Sequence, residues 1–195
     1  MARRKKQTEF KPDPRQFSLP RLLHMTQLQK LRLLKWALYV LTGILLLTIQ
    51  DVIMARVRIF GATTDLPAAL ILLITVIEGA DVGSLFVLIA STIYYFSGSA
   101  PGPYCIALLS ALGIIATLLR QAYLRRTKLS IVFSAGIALA LYELGLFIVG
   151  IGLGLTRWDR IFSFLFTAAY SFGIMIPLYN LINKIGLIGG TSWKE

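Results

Sequence analysis

Between residues 36 and 182 the chain carries six apolar blocks, at about 36–54, 66–80, 82–97, 103–120, 131–154 and 160–182, separated by short polar turns. This spacing constrains the fold more than any single motif. A helix crosses a bilayer with about 20 apolar residues rising about 1.5 Å each. The second and third blocks are shorter than that, and only "EGAD" (78–81) divides them. Two tilted spans are favoured there over one re-entrant hairpin, because each helix satisfies its own backbone in lipid. The expectation is an all-α integral membrane protein, a compact bundle of six transmembrane helices.

Composition agrees with lipid as the solvent. The chain is 56% hydrophobic and 15% charged, where a soluble domain usually carries about 25% charged residues. The net charge of +11 raises the question of nucleic acid, but no folded nucleic-acid module accompanies it. Half of the lysines and arginines lie ahead of residue 36, as in "MARRKKQTEFKPDPR" and "KLRLLK". A basic arm before an apolar run is the pattern of a segment kept in the cytoplasm.

Orientation follows from the same rule. With the N-terminus inside and six spans, only Arg56, Arg58, Arg157 and Arg160 face outward, and the other sixteen of 20 basic residues face the cytoplasm. Both termini are therefore expected in the cytoplasm. Three segments result: a basic arm and juxtamembrane helix over 1–35, a membrane domain over 36–183, and a short tail over 184–195. Residues 1–20, with Pro12, Pro14 and Pro20, read as a flexible arm. In 21–35 the leucines spread around the helical wheel, so that stretch reads as an extension of the first span. The first apolar run starts too far from the N-terminus for a signal peptide and is expected to be retained.

Catalytic signatures are absent from the sequence: no phosphate loop with lysine, no paired cysteines, no HExxH and no GxSxG. Asp51 and Asp81 fall near opposite membrane faces, which separates the aspartates an intramembrane protease would need together. The expectation is no enzyme, no cofactor and no metal. Cys105 has no disulfide partner and reads as a packed thiol, and His24 has no second ligand with which to hold a metal.

The polar residues that remain are candidates for contact. Glu143 stands mid-span in "ALALYELGLFIVG", where a carboxylate normally faces the bundle interior and is paired or functional. Tyr142, Gln50 or a threonine are its expected neighbours. Asp51 precedes Arg56 and Arg58 and is expected to join them in an interfacial ion network. Asp65 leads into the second span. Arg157 and Trp158, in "TRWDR", read as solvated charge and aromatic anchor, or as an outer docking point. Gly79 is expected to supply the tight turn in "EGAD". Small residues predict close helix contacts: Ser134, Gly136, Ala138 and Ala140 in the fifth span, Gly150 and Gly154 at its end, and Ala169 and Gly173 in the sixth.

Three stretches carry a family resemblance: "TIQDVIM" (48–54), "TTDLPAALILL" (63–73) and "IEGADVGSLFVLIASTIYYFSGSAPGPYCI" (77–106). Over most of 36–183 the chain resembles the bacterial rod shape-determining protein MreD family. Thr64, Asp65 and Leu66 match the family's Pro-Asp-Leu entry to its second span without the proline. Ser97, Gly98 and Ser99 match its turn after the third span, and Tyr94 stands where the family often has an aspartate. The resemblance implies a non-enzymatic scaffold of the cell-elongation machinery in the bacterial plasma membrane. Its partners would be an MreC-like extracytoplasmic scaffold, an MreB-like actin homologue and the glycosyltransferase and transpeptidase that build lateral peptidoglycan. Arg3 to Lys6 and Arg125 to Lys128 would then face cytoplasmic partners or anionic lipid.

The family's fold is thought to be related to that of the substrate-binding S components of energy-coupling-factor vitamin transporters, which are the alternative reading. Those proteins usually dock through an AxxxA face on the first span. Here that span offers only Ala37 and Gly43 before bulky leucines.

Overall fold

The computed structural model describes residues 26–57, 62–123 and 127–188. These form six helices: α1 (Gln27–Val52), α2 (Leu66–Glu78), α3 (Ala80–Phe96), α4 (Tyr104–Tyr123), α5 (Lys128–Gly152) and α6 (Ile161–Gly186). Each coincides with one apolar block. Short 3-10 turns, Met54–Arg56 and Trp158–Arg160, follow α1 and precede α6. The stretches 1–25, 58–61, 124–126 and 189–195 lie outside the described residues, and with them His24, Arg58, Arg125, Arg126 and the basic arm.

Local chemistry sets the helix ends. Thr26 and Gln29 form a capping box, each side chain bonding the other's backbone N–H, so α1 begins before residue 35 and runs unbroken through it. Asp65 caps α2 by accepting from Ala68 N–H at 3.0 Å, and Pro67 sits in the first turn, where its missing N–H costs nothing. Thr127 caps α5. Gly79 (φ 90°, ψ −178°) is the single residue between α2 and α3, and its backbone is one that L side chains rarely adopt.

The helix α2 is the centre of the molecule. All 13 of its residues are buried, and it packs against each of the other five helices. An amphipathic helix buries one stripe; "LPAALILLITVIE" is apolar all round and is surrounded. Consecutive helices alternate in direction, so the start of α2 meets the ends of α1 and α3 and the first half of α6. Its far end meets the first half of α1 and the last turn of α6.

α1, α4, α5 and α6 are long and apolar enough to cross a membrane; α2 and α3 are shorter apolar helices. At about 1.5 Å per residue α2 is about 20 Å long, less than the roughly 30 Å of a hydrocarbon core. Large apolar side chains stand exposed around the outside, among them Leu41, Leu85, Ile137 and Phe162. That is the surface expected of a bundle solvated by lipid.

Glycines separate into two kinds. A Cβ on Gly83 would lie 2.3 Å from the Thr75 carbonyl oxygen, so α3 lies against the backbone of α2 only because residue 83 has no side chain. Gly136 likewise meets the Phe172 ring and brings α5 to α6. The pair Gly150 and Gly154 corrects the sequence expectation. It ends α5 rather than joining helices: Gly154 has φ +69°, Leu155 N–H donates to Gly150 O and Gly154 N–H donates to Ile151 O. Gly173 faces open space, so the Ala169/Gly173 spacing brings no helix close at that glycine.

Candidate functional site

Two polar clusters cap the ends of the apolar helix α2. At its start Asp65 is held on several sides. Its Oδ1 accepts from Ala68 N–H and from the Tyr94 hydroxyl at 3.1 Å, and its own N–H donates to Ser171 Oγ at 2.8 Å. Gln50, near the end of α1, donates from Nε2 to the Thr64 carbonyl and accepts from Leu66 N–H through Oε1. One amide thereby satisfies two backbone groups just where the chain enters α2. Tyr94, at the position where the resembled family often has an aspartate, is buried and serves Asp65 as a hydrogen-bond donor.

Gln50, Thr64, Asp65 and Tyr94 line one side of a cavity of about 300 Å³. Glu143 of α5 and Arg160, Ser163 and Thr167 at the head of α6 line the rest, with Thr63 and Ser99 at the loops. Glu143 is 3% exposed, and no described residue donates a hydrogen bond to it. It therefore faces the bundle interior as its sequence position implied, with Gln50 and three threonines around the same cavity. The adjacent Tyr142 is not among the lining residues, and its hydroxyl is buried without a partner.

Asp51 departs from expectation. No ion pair joins it to Arg56 among the described residues; its Oδ1 accepts from Ser99 Oγ at 2.8 Å. The 3-10 turn leaves Arg56 exposed, whereas Ser99, in the turn between α3 and α4, reaches the last turn of α1. Arg58 falls outside the described residues. Arg157 is exposed and Trp158 is 73% exposed, its ring edge-on to Phe147 with centroids 5.9 Å apart. Of the basic residues in "TRWDR", it is Arg160, the N-cap of α6, that reaches the cavity.

At the other end of α2, Glu78 accepts from Lys35 Nζ at 2.8 Å and from the Tyr39 hydroxyl at 2.6 Å. Lys35 is 5% exposed and Glu78 likewise 5%. Lys35 and Tyr39 are one turn apart on α1, so both point at the same carboxylate. Gly186 lets the last turn of α6 approach; a Cβ there would lie 3.0 Å from the Tyr39 oxygen. The sequence reading counts Lys35 among the cytoplasmic basic residues of the juxtamembrane segment 21–35 and does not find this cluster. The signal was an i, i+4 Lys/Tyr pair beside Trp36, facing the one acid that ends an otherwise apolar block. Arg120, assigned to the cytoplasmic charges, is also buried, at 2% exposure.

No cluster of three or more metal-ligating side chains is present among the described residues, and Cys105 is buried and free. Among the described residues a polar cavity thus stands at the Asp65 end of α2 and a buried ion pair at the Glu78 end, about 20 Å apart along the helix. No family model matches the chain, and neither does any curated protein or solved structure.

Proposed function

We propose that the protein is a non-enzymatic scaffold of the bacterial cell-elongation machinery. It spans the plasma membrane six times, with both termini in the cytoplasm. One observation carries this reading. The stretches that resemble the MreD family, 48–54, 63–73 and 77–106, fall on the end of α1, on most of α2, and on α3 with the turns on either side of it. The resemblance thus takes in most of the helix around which all the others pack, and the helix that follows it. In this arrangement α2 crosses as an inner helix shielded by the others, and α3 returns beside it with one face toward lipid. The Asp65 cavity opens to the cell exterior and the Lys35–Glu78 pair lies toward the cytoplasm. The outer end would meet an MreC-like scaffold, and the basic arm and the loop from Arg125 to Lys128 would meet an MreB-like filament or anionic lipid. The wall glycosyltransferase and transpeptidase complete the assembly.

The cavity favours a second reading, an S component of a vitamin transporter. Its volume stands at the bottom of the about 300–1,000 Å³ range of small-molecule pockets, small for a vitamin, and α1 lacks the AxxxA docking face.

Gentle solubilisation of native membranes and recovery of the tagged protein separates the two. Wall-synthesis partners are expected, together with rounding of a rod-shaped host on depletion. Recovery of transporter ATPase subunits, or unchanged cell shape and wall insertion, refutes the scaffold reading.

A further inference from the structure

We propose that the groove between α4 and α5 holds one acyl chain of an anionic phospholipid, with the headgroup at the turn that joins the two helices. The site rests on the membrane-spanning reading and not on the scaffold role.

The groove opens on the outside of the bundle and has a volume of about 560 Å³. Buried Ala116, Ser134 and Ala138 form its floor, and exposed Ile115, Phe133 and Ile137 stand along its rims. The Ser134 hydroxyl donates to the Ala116 carbonyl at 3.2 Å, so the middle of the floor presents hydrocarbon. On α5 the lining runs from Thr127 to Leu141, about 21 Å at about 1.5 Å per residue. One leaflet takes up about 15 Å of a roughly 30 Å hydrocarbon core, so the groove is long enough for the whole depth of a chain. Volume over length gives a cross-section of about 27 Å². A helix about 10 Å across does not enter so narrow a channel, whereas a single hydrocarbon chain does. Walls on both sides give that chain more contacts than the convex outside of a helix offers.

The Thr127 end lies at headgroup depth. Tyr123, the last residue of α4, is exposed there, as aromatic residues at a membrane interface are. Charge at this end has one sign. Residues 120–128 hold Arg120, Arg125, Arg126 and Lys128 and no acid. Lys128 is exposed, its ammonium 5.7 Å over the Tyr179 ring, and it makes no ion pair among the described residues. A lipid phosphate supplies the missing anion. The other apolar recesses differ at this point. Beside the crevice between α1 and α3, Lys35 is already paired with Glu78. On α5 the groove toward α6 stops at Phe133, more than a turn short of Lys128.

The full-length protein is reconstituted in phosphatidylcholine nanodiscs doped with photoactivatable phosphatidylglycerol. The probe carries a diazirine halfway along one chain, and labelled residues are mapped by mass spectrometry. Nanodiscs expose both leaflets, so the result does not depend on which face is cytoplasmic, and partner recovery tests the scaffold role separately. Labelling is expected to concentrate on Ile115, Phe133 and Ile137 over Leu41 of α1 and Leu85 of α3, which are also exposed. The phosphatidylcholine analogue with the same chains should label the groove at least about fivefold less, the worth of one basic residue near a membrane surface. Ala138→Leu, which fills the floor, should abolish the concentration. Arg125→Gln, Arg126→Gln and Lys128→Gln together should leave the two lipids labelling the groove equally. Even labelling of all the exposed helix faces overturns the proposal, as does equal labelling by the two headgroups in the unaltered protein. So does groove labelling unchanged in folded Ala138→Leu protein, or a headgroup preference that survives the triple substitution.

Discussion

Replacing Glu78 by glutamine tests the ionic lock in the fold. The change keeps the side chain's shape and removes its charge. Lys35 Nζ lies 2.8 Å from the carboxylate with both side chains almost fully buried, at 6% and 3% exposure. The ammonium would then remain in the bundle without its counter-charge, and Tyr39 would bond an amide oxygen in place of an anion. Removing one partner of a buried pair costs about 3–5 kcal/mol. Replacing Lys35 by methionine as well takes away the stranded charge and keeps much of the stem packing against Trp36. The double variant should therefore be more stable than the sum of the single losses predicts. A double-mutant cycle on unfolding in lipid nanodiscs measures the coupling and cancels whatever else each residue touches. Coupling of about 2 kcal/mol or more is expected for a pair this close and this buried. Additivity within about 0.5 kcal/mol, the behaviour of distant sites, would refute the argument that the two charges hold each other.

Two further perturbations test other parts of the packing by the same unfolding assay. Gly83→Ala should cost about 1–3 kcal/mol, since the new methyl meets the Thr75 carbonyl, which cannot move aside as a side-chain end could. Gly173→Ala, on an open face of α6, should instead gain up to about 1 kcal/mol from helix propensity. Asp65→Ala should lose about 0.5–2 kcal/mol from the α2 cap alone, whereas Asp65→Asn should lose less than half as much because an amide oxygen can still accept from Ala68 N–H. Equal losses from the two Asp65 variants would show that the cap is not what residue 65 contributes.

The helices were legible because lipid-facing and core helices alike need uninterrupted apolar runs, and every block became one helix. The cap of α2 was half legible. Asp65 before Leu66-Pro67 announces a helix start, but nothing in the sequence says that Gln50, Tyr94 and Ser171 converge on that point from three other helices. Glu143 could be assigned to the interior because a lone carboxylate in a long apolar run has few places to go. Lys35 was misread for the opposite reason: charge at the edge of an apolar block usually reaches water, and here a buried acid 43 residues away holds it inward. The Gly150/Gly154 pair shows the limit of spacing arguments, since the same GxxxG pattern that packs two helices can also end one. Asp51 chose Ser99 over Arg56 because the turn after α3 folds back onto the end of α1, a contact invisible to local sequence.

The central claim is that α2 joins two opposite membrane faces, its Asp65 end outside and its Glu78 end inside. Single cysteines replacing Pro103 and Asp81, both exposed, in a protein carrying Cys105→Ser test it directly with a membrane-impermeant maleimide on intact cells. Residue 103 is predicted to label from outside, and residue 81 only after the membrane is opened. Labelling of both from the same side would make α2 and α3 a re-entrant hairpin and contradict the six-span account.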